Sequence, residues 1–356
     1  MTTKLDERPP LQTVPGNIHD LLKASVERNA AAIAIAAPGR QPLAYRRLLH
    51  QVEETVRALS SAGLKRNDRV GLVLPNGPEM AVAFLAVAAG ATCAPLNPAY
   101  TEDEFDFYIS DLNARALIVA SGLDSPARKV ARKRQVRIIE LVPTVDAEAG
   151  VFTLETERPV ADGPSFAISS DTALVLHTSG TTSRPKIVPL TQANVCRSAF
   201  NIATSLALTP RDCCLNVMPL FHIHGLIAAV LSSLAAGARI VCTPRFAPEE
   251  FFAWLDTFQP TWYTAAPTIH QAVLAGAAAN RAVIARRPLR LIRSSSAALP
   301  KQVLHDLEEV FQTQVIEAYG MTEASHQMAS NPLTPQPRKP GSVGIPAGTE
   351  VAVMDE

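Results

Sequence analysis

The sequence predicts an α/β fold of two doubly covered, mostly parallel sheets. Short apolar runs such as Val70–Leu74 and Ala116–Ala120 alternate with longer stretches of helical periodicity, the pattern of strand, crossover helix and strand. The runs are apolar throughout, as strands buried on both faces are. Gly and Pro sit at many of the junctions between them, where turns belong.

Residues 1–16 carry three of the 28 prolines and no periodicity, and read as an extended lead-in. Ile18, Leu21, Leu22 and Val26 begin a helix, and Ala31–Ala36 suits a strand. Leu48, Leu49, Val52, Val56 and Leu59 share one face of the next helix, with Gly63 at its C-terminal cap. A strand at Val70–Leu74 ends in the turn Pro75-Asn76-Gly77-Pro78. Helix 79–89, strand Thr92–Leu96, a helix opened by the capping box Thr101-x-x-Glu104 and strand Ala116–Ala120 follow. Residues 121–168 are more polar. Their basic cluster Arg128, Lys129, Arg132, Lys133 and Arg134 is either a docking patch for a phosphate or a solvated helix face.

Past the connection at Pro159–Pro164, Thr191 caps a helix to about residue 206, and strand Cys214–Met218 runs into Pro219-Leu220-Phe221-His222-Ile223-His224-Gly225. Helix 226–236 ends at Gly237. Strand 239–242, helix 248–258, strand 261–264, helix 267–277, strand 289–293, helix 300–311 and strand 315–318 complete a second unit. From Pro332 onward, Gly341-Ser342-Val343-Gly344 and Val351-Ala352-Val353 suggest short antiparallel strands. The expected division is an α/β subdomain at 1–165, a second at 166–331 and the start of a small β-barrel at 332–356.

Lys+Arg and Asp+Glu number 33 each, so no global field draws nucleic acid or an anionic membrane, and a small-molecule ligand is expected. Five scattered cysteines without a C-x-x-C pair argue against a disulfide framework or a zinc site and for a reducing, cytoplasmic setting. The uncharged runs Met80–Thr101 and Cys213–Ala238 are broken by Gly90 and Pro95, and by Pro219 and Gly225, so neither reads as a membrane span.

The chemistry concentrates in His177-Thr178-Ser179-Gly180-Thr181-Thr182-Ser183-Arg184-Pro185-Lys186, directly after the apolar strand Ala173–Leu176. Five hydroxyls, a Gly that lets the backbone turn and two cations have the composition of a phosphate-gripping loop. A Ser/Thr-rich turn between strands has the same composition. The P-loop pattern is excluded, because Pro185 stands where it needs a Gly.

Ligands of open α/β sheets sit at the carboxyl ends of strands, which singles out further candidates. Tyr319 can stack on a purine, Gly320 admits close backbone approach, Thr322 can bind a phosphate oxygen, and Glu323 is a hard ligand suited to magnesium. Ser294-Ser295-Ser296-Ala297-Ala298-Leu299 serves equally as an N-cap for the helix at Pro300 and as a small-residue loop against a base. His222 and His224 have metal-like spacing but no third ligand nearby, which favours a packed or hydrogen-bonded His224. Arg293 and His326 flank the two loops. Arg293 either pairs with a surface carboxylate or serves the ligand.

Over nine consecutive residues, Thr178–Lys186 resembles the ATP-phosphate loop of the adenylate-forming superfamily of acyl-CoA synthetases, luciferases and peptide-synthetase adenylation domains. It departs from that pattern at Ser183 and Ile187, where the family commonly has Gly. Tyr319-Gly320-Met321-Thr322-Glu323 resembles the superfamily's Y-G-x-T-E motif without substitution. From about residue 40 onward, segments such as P-L-F-H-I-H-G-L and E-A-Y-G-M-T-E-A-S-H are similar to oxalate-CoA ligase-like acyl-CoA synthetases.

The resemblance implies ATP binding by Thr178, Ser179, Gly180, Thr181, Thr182, Ser183, Lys186, Ser295, Ser296, Ala297, Glu317, Ala318, Tyr319, Gly320, Met321 and Thr322. It implies catalytic roles for Lys186, Thr322 and Glu323, Mg2+ on Glu323, and acid-substrate contacts at His222, Arg293, Ser294 and His326. The implied reaction is ATP-dependent activation of a small, oxalate-like acid as acyl-adenylate, then transfer to CoA or, alternatively, to a carrier-protein phosphopantetheine. His222 follows Phe221 where peptide-synthetase domains place an Asp for an α-amino group, which disfavours an amino acid. The family also carries a C-terminal lid with a catalytic Lys, and residue 356 precedes it. The expectation is therefore a chain that binds ATP and acid but adenylates slowly until a lid is supplied in cis or in trans. An ATP-binding scaffold without chemistry is the remaining alternative.

Overall fold

The computed structural model describes residues 14–156, 163–178, 185–352 and 354. The expected lead-in, part of the Pro159–Pro164 connection, and Ser179, Gly180, Thr181, Thr182 and Ser183 lie outside the described residues or largely so.

Helix α1 (Ile18–Asn29) leads to strands β1 (Ile33–Ala36) and β2 (Leu43–Ala44) and to α2 (Tyr45–Ser61). Then come β3 (Arg69–Val73), α3 (Pro78–Gly90), β4 (Thr92–Pro95), α4 (Glu102–Asp111), β5 (Ala116–Ala120), α5 (Pro126–Lys133), β6 (Arg137–Pro143) and β7 (Phe152–Glu155). The hairpin β8 (Thr172–Thr178) and β9 (Lys186–Thr191) precedes α6 (Gln192–Ser205) and β10 (Cys213–Asn216). Strands β11 (Arg239–Cys242), β12 (Trp262–Ala265), β13 (Leu291–Ser294), β14 (Gln314–Met321), β15 (His326–Ser330) and β16 (Ile345–Pro346) complete the set, with helices between β11 and β14.

Two mostly parallel sheets result, one in the order β7-β6-β5-β3-β4-β8-β9 and one in the order β16-β15-β14-β13-β12-β10-β11-β1-β2. Each draws strands from both sides of residue 165. β1 lies parallel to β11 in the second sheet, while β8 pairs with β4 in the first. The doubly covered α/β class stands, but local periodicity reports that a strand is buried and not which sheet will bury it.

The strands alternate faces, and the faces explain the layers. Leu72, Ile118, Ile240, Trp262, Leu291 and Ile316 enter one core between the sheets, whereas Val119 and Val130 pack outside the first sheet and Tyr263, Ile292 and Leu307 outside the second. Helix α3 occupies the middle layer, touching β3, β4 and β8 on one side and β11 on the other. That position requires its uniform apolarity, since nearly every residue from Met80 to Gly90 is buried. Among the described residues no helix is long and apolar enough to cross a membrane. Gln192 ties the layer together, accepting from the Ile18 N–H (3.1 Å) and donating to the Ala88 carbonyl (2.5 Å).

Three expectations are refined. The helix read at 226–236 starts earlier, as a π-helix over His224–Leu231 that continues as an α-helical turn at Ser232–Ala235. Gly225 is required there, because a Cβ would run into the Pro219 carbonyl. Most of the basic cluster of α5 is engaged on the surface: Arg128 pairs with Glu140, Lys129 with Glu102, and Lys133 and Arg134 with Asp106. In the tail, residues 345–346 add β16 to the edge of the second sheet, 341–344 and 351–352 form no strand, and Val353 lies outside the described residues. No closed barrel forms among the described residues.

Candidate functional site

The β8–β9 hairpin sets Thr178 opposite Lys186 at its turn end, so the expected phosphate-gripping turn springs from this pair. The stem is braced from the side. His177 Nε2 lies 2.9 Å from Asp111 Oδ2, and its ring meets Tyr108 edge-on at 4.7 Å. Burial lowers the His177 pKa, against the opposing pull of Asp111. Beyond β14, the single 3-10 turn Thr322–Ala324 carries Glu323, whose Oε1 is 3.5 Å from Thr178 Oγ1. The base of one turn thus meets the tip of the other. Lys186 and Glu323 are both exposed.

A cavity of about 320 Å³ opens beside this meeting point, on the same strand. Ser294, Ser296, Ala297 and Ala298 form one wall, Glu317, Ala318, Tyr319 and Gly320 the second, and Gly341, Ser342 and Val343 the third. The alanines and glycines leave room for a flat ring, and Tyr319 keeps 43% of its surface exposed to face one. Ser295 takes another part: buried, it donates to the Ala318 carbonyl (2.9 Å) and stitches the two loops together. Glu317 accepts from the Gly341 N–H (2.9 Å), and burial raises its carboxyl pKa. The third wall had read as strand in the sequence; its Gly-Ser-Val composition after a Pro-rich run was the available signal. A larger hollow of about 630 Å³ between α6 and residues 330–348 carries neither ligand loop.

Beneath the first wall lies a buried polar cluster. Arg293 is fully buried, because strand alternation turns it, with Leu291, into the layer between the sheets. Its Nη1 donates to Thr264 Oγ1 (3.2 Å) and its Nη2 to Gln327 Oε1 (3.1 Å), and Gln327 donates on to Ser205 Oγ (2.9 Å). No carboxylate lies within ion-pair distance of it among the described residues, and burial pushes its pKa down to about 9, still protonated at neutral pH. Its terminal nitrogens are therefore spent on protein neighbours rather than on a surface acid. His224 bridges Ser296 Oγ (2.8 Å from Nδ1) and Thr264 Oγ1 (2.6 Å from Nε2), the packed role the sequence favoured. His326 packs edge-on against His224 at 5.1 Å.

Three buried polar atoms here, Arg293 Nε, Ser294 Oγ and His326 Nδ1, have no hydrogen-bond partner among the described residues. Ser296, Ser325 and His326 hold φ of +77°, +54° and +100°, a concentration of backbone strain of the sort that marks ligand sites. His222 is exposed, with its ring 4.5 Å from that of Phe221. Thr264 and Gln327 were missed in the sequence, where they read as ordinary strand residues.

A family model described as "AMP-binding enzyme" matches residues 22–356. The chain belongs to this family. Among curated AMP-binding relatives it is 41% identical to the oxalate–CoA ligase of Arabidopsis thaliana over 97% of its own length and 67% of the relative's. It is 40% identical to the oxalate–CoA ligase of Saccharomyces cerevisiae over 82% of its own length and 57% of the relative's. Its fold matches apo MatB from Rhodopseudomonas palustris with a TM-score of 0.78 at 25% identity, covering 93% of this chain and 64% of that one. The chain thus spans about two thirds or less of the length of these relatives.

The donor set suits a nucleotide with its metal. Among the described residues no group of three His, Cys, Asp or Glu gathers to cage an ion, and magnesium needs none, since it typically takes one or two carboxylates and completes its shell with phosphate oxygens and water.

The buried histidines should make this AMP-binding enzyme acid-sensitive. Burial, with Arg293 nearby, holds His224 and His326 well below the usual imidazole range, and burial lowers His270 to about 4. The unfolded chain takes up these protons near about pH 6.5 while the folded one refuses them. Stability present above that value should therefore be lost as pH falls, by about 1.4 kcal/mol per pH unit for each histidine. Melting temperatures at about pH 7.5, 6 and 5 should drop most over the last interval; a flat profile would contradict neutral burial.

Proposed function

We propose that this chain activates a small, oxalate-like carboxylic acid with ATP, forming acyl-adenylate and pyrophosphate, and serves transfer of the acyl group to CoA. The observation that carries the reading is the meeting of Thr178 with Glu323 on the strand-turn that also walls the 320 Å³ cavity. The relatives' names, oxalate–CoA ligase twice and malonate–CoA ligase of Homo sapiens at 30% identity, point toward a small dicarboxylate.

In this reading the adenine enters the cavity against Tyr319, over Ala297, Ala318 and Gly320. The phosphates extend toward Thr178 and Lys186, with Thr322 on the α-phosphate, and the hydroxyls and N–H groups of the Ser179–Ser183 sequence are the proposed further donors. Lys186 offsets charge on the departing pyrophosphate. Glu323 would hold magnesium, which would supply positive charge to neutralise the phosphates. His222, Ser294 and His326 surround the acid and align a carboxylate oxygen with the α-phosphorus, so catalysis rests on positioning, with no protein nucleophile. A two-carbon dianion is nearly all charge, which suits a short pocket of donors rather than an apolar tunnel.

The test is acid-dependent ATP–pyrophosphate exchange across oxalate, malonate, acetate, benzoate and octanoate, followed by offering CoA and a carrier-protein pantetheine arm as rival acceptors. Oxalate or malonate should give the highest exchange, and CoA should accept. Octanoate winning with oxalate inert would end the dicarboxylate assignment.

A further inference from the structure

Five hydrogen bonds run unbroken through the middle layer: Ser296 to His224, His224 to Thr264, Thr264 to Arg293, Arg293 to Gln327 and Gln327 to Ser205. One end lies on the exposed loop that walls the cavity, and the other is anchored in α6. The direction of each bond follows from donor chemistry. A guanidinium only donates, so Thr264 Oγ1 accepts from Arg293. Thr264 is fully buried and has one proton, whose only neighbouring acceptor among the described residues is His224 Nε2. Were His224 to donate there instead, that buried hydroxyl proton would be orphaned, which is costly.

His224 is held neutral by burial. With Nε2 accepting, its single proton must sit on Nδ1, and Nδ1 then donates to Ser296 Oγ. Ser296 receives a hydrogen bond from inside the protein, which leaves its own proton free to point outward. Its backbone is held at φ +77°, a conformation a serine does not adopt without cause.

We infer that Arg293 is a positioning residue: through Thr264 and His224 it fixes Ser296 as a hydrogen-bond donor to an anionic oxygen of a ligand in the cavity. This accounts for a buried cation without a counter-ion. It also gives the first wall a hydrogen-bond donor, since the Ser296 proton is left free for an anionic oxygen. The inference deepens the reading of the site given above and rests on it for the identity of the ligand. The acceptor is a carboxylate oxygen of the acid or a phosphate oxygen of the nucleotide, and the two are separated by experiment.

The first measurement needs no turnover. Long-range 15N–1H correlation spectra of the full chain, with His224 assigned by comparison with His224→Gln, should show the Nδ1–H tautomer at neutral pH. The Nε2–H tautomer would overturn the inference. The second is a double-mutant cycle of Thr264→Val and Ser296→Ala, read as affinity for oxalate and for a non-hydrolysable ATP analogue by calorimetry.

Each single variant should lose about ten- to a hundredfold in affinity for one of the two ligands, the loss of one hydrogen bond to a charged acceptor, and the double variant should lose no more than Ser296→Ala alone. A loss confined to oxalate assigns the acceptor to the acid, and a loss confined to the analogue assigns it to a phosphate. Arg293→Lys, which keeps a cationic donor, should retain more affinity than Arg293→Met. Full additivity of the two losses, or no loss for either ligand in folded variants, would show that the chain of bonds serves packing alone.

Discussion

Replacing Glu323 with Gln should lower acid-dependent pyrophosphate exchange by about a hundred- to a thousandfold, the several kcal/mol of charge stabilisation that a bound magnesium supplies. Folding should be nearly untouched. The side chain is exposed, and its one side-chain hydrogen bond among the described residues is the 3.5 Å approach of Thr178, so the melting temperature should stay within about a degree or two. Gln keeps the shape and removes the charge, which isolates the metal-binding role from packing. The variant's demand for magnesium should rise, and a large excess of the ion should recover part of the lost exchange. Exchange within about threefold of the parent at ordinary magnesium would mean that Glu323 does not hold the ion, whatever the magnitudes of neighbouring effects.

The family was legible in the sequence where its motifs are written in consecutive residues. Tyr319–Glu323 is one strand end and one turn, so its residues arrive together however the rest of the chain folds. Likewise the carboxyl end of β13 delivers Ser294, Ser296, Ala297 and Ala298 to the cavity wall, as strand ends in open sheets do. What the sequence hid depends on contacts between distant segments. β1 reads as a strand in either sheet, and only its pairing with β11, some two hundred residues away, assigns it. His224 begins a π-helix, which no 3.6-residue periodicity reveals.

Arg293 is the instructive case. It stands in Leu291-Ile292-Arg293-Ser294, and alternation from Leu291 already turns it inward. Its charge argues for the surface. Inward orientation is tolerated because Thr264 on the adjacent β12 and Gln327 on β15, one strand beyond β14, accept its hydrogen bonds, and those partners cannot be read from any one strand alone.

The largest structural effect is expected from Gly320→Val. Gly320 lies opposite Gln327 where the β14–β15 register shifts, and a Cβ at that position would run into the His326 carbonyl. Neither side can yield easily. His326 is already held at φ +100°, and the Ser325 carbonyl next to it accepts from Ser198 Oγ of α6 at 2.5 Å. Overpacking against a backbone atom should cost about 3 kcal/mol, the upper end of what extra methyl groups cost in a tight site. Thermal melting should therefore fall by several degrees, with Gly320→Ala intermediate.

The strain also reaches function by a definite route. Opening the hairpin displaces Gln327, which holds Arg293, and Tyr319, which walls the cavity. Nucleotide affinity should accordingly fall well below that of a variant of equal stability loss made elsewhere, such as Leu307→Ala in the outer core of the second sheet. Equal affinity in the two would separate the hairpin's geometry from the site, and unchanged melting of Gly320→Val would show that β14 and β15 are free to part there.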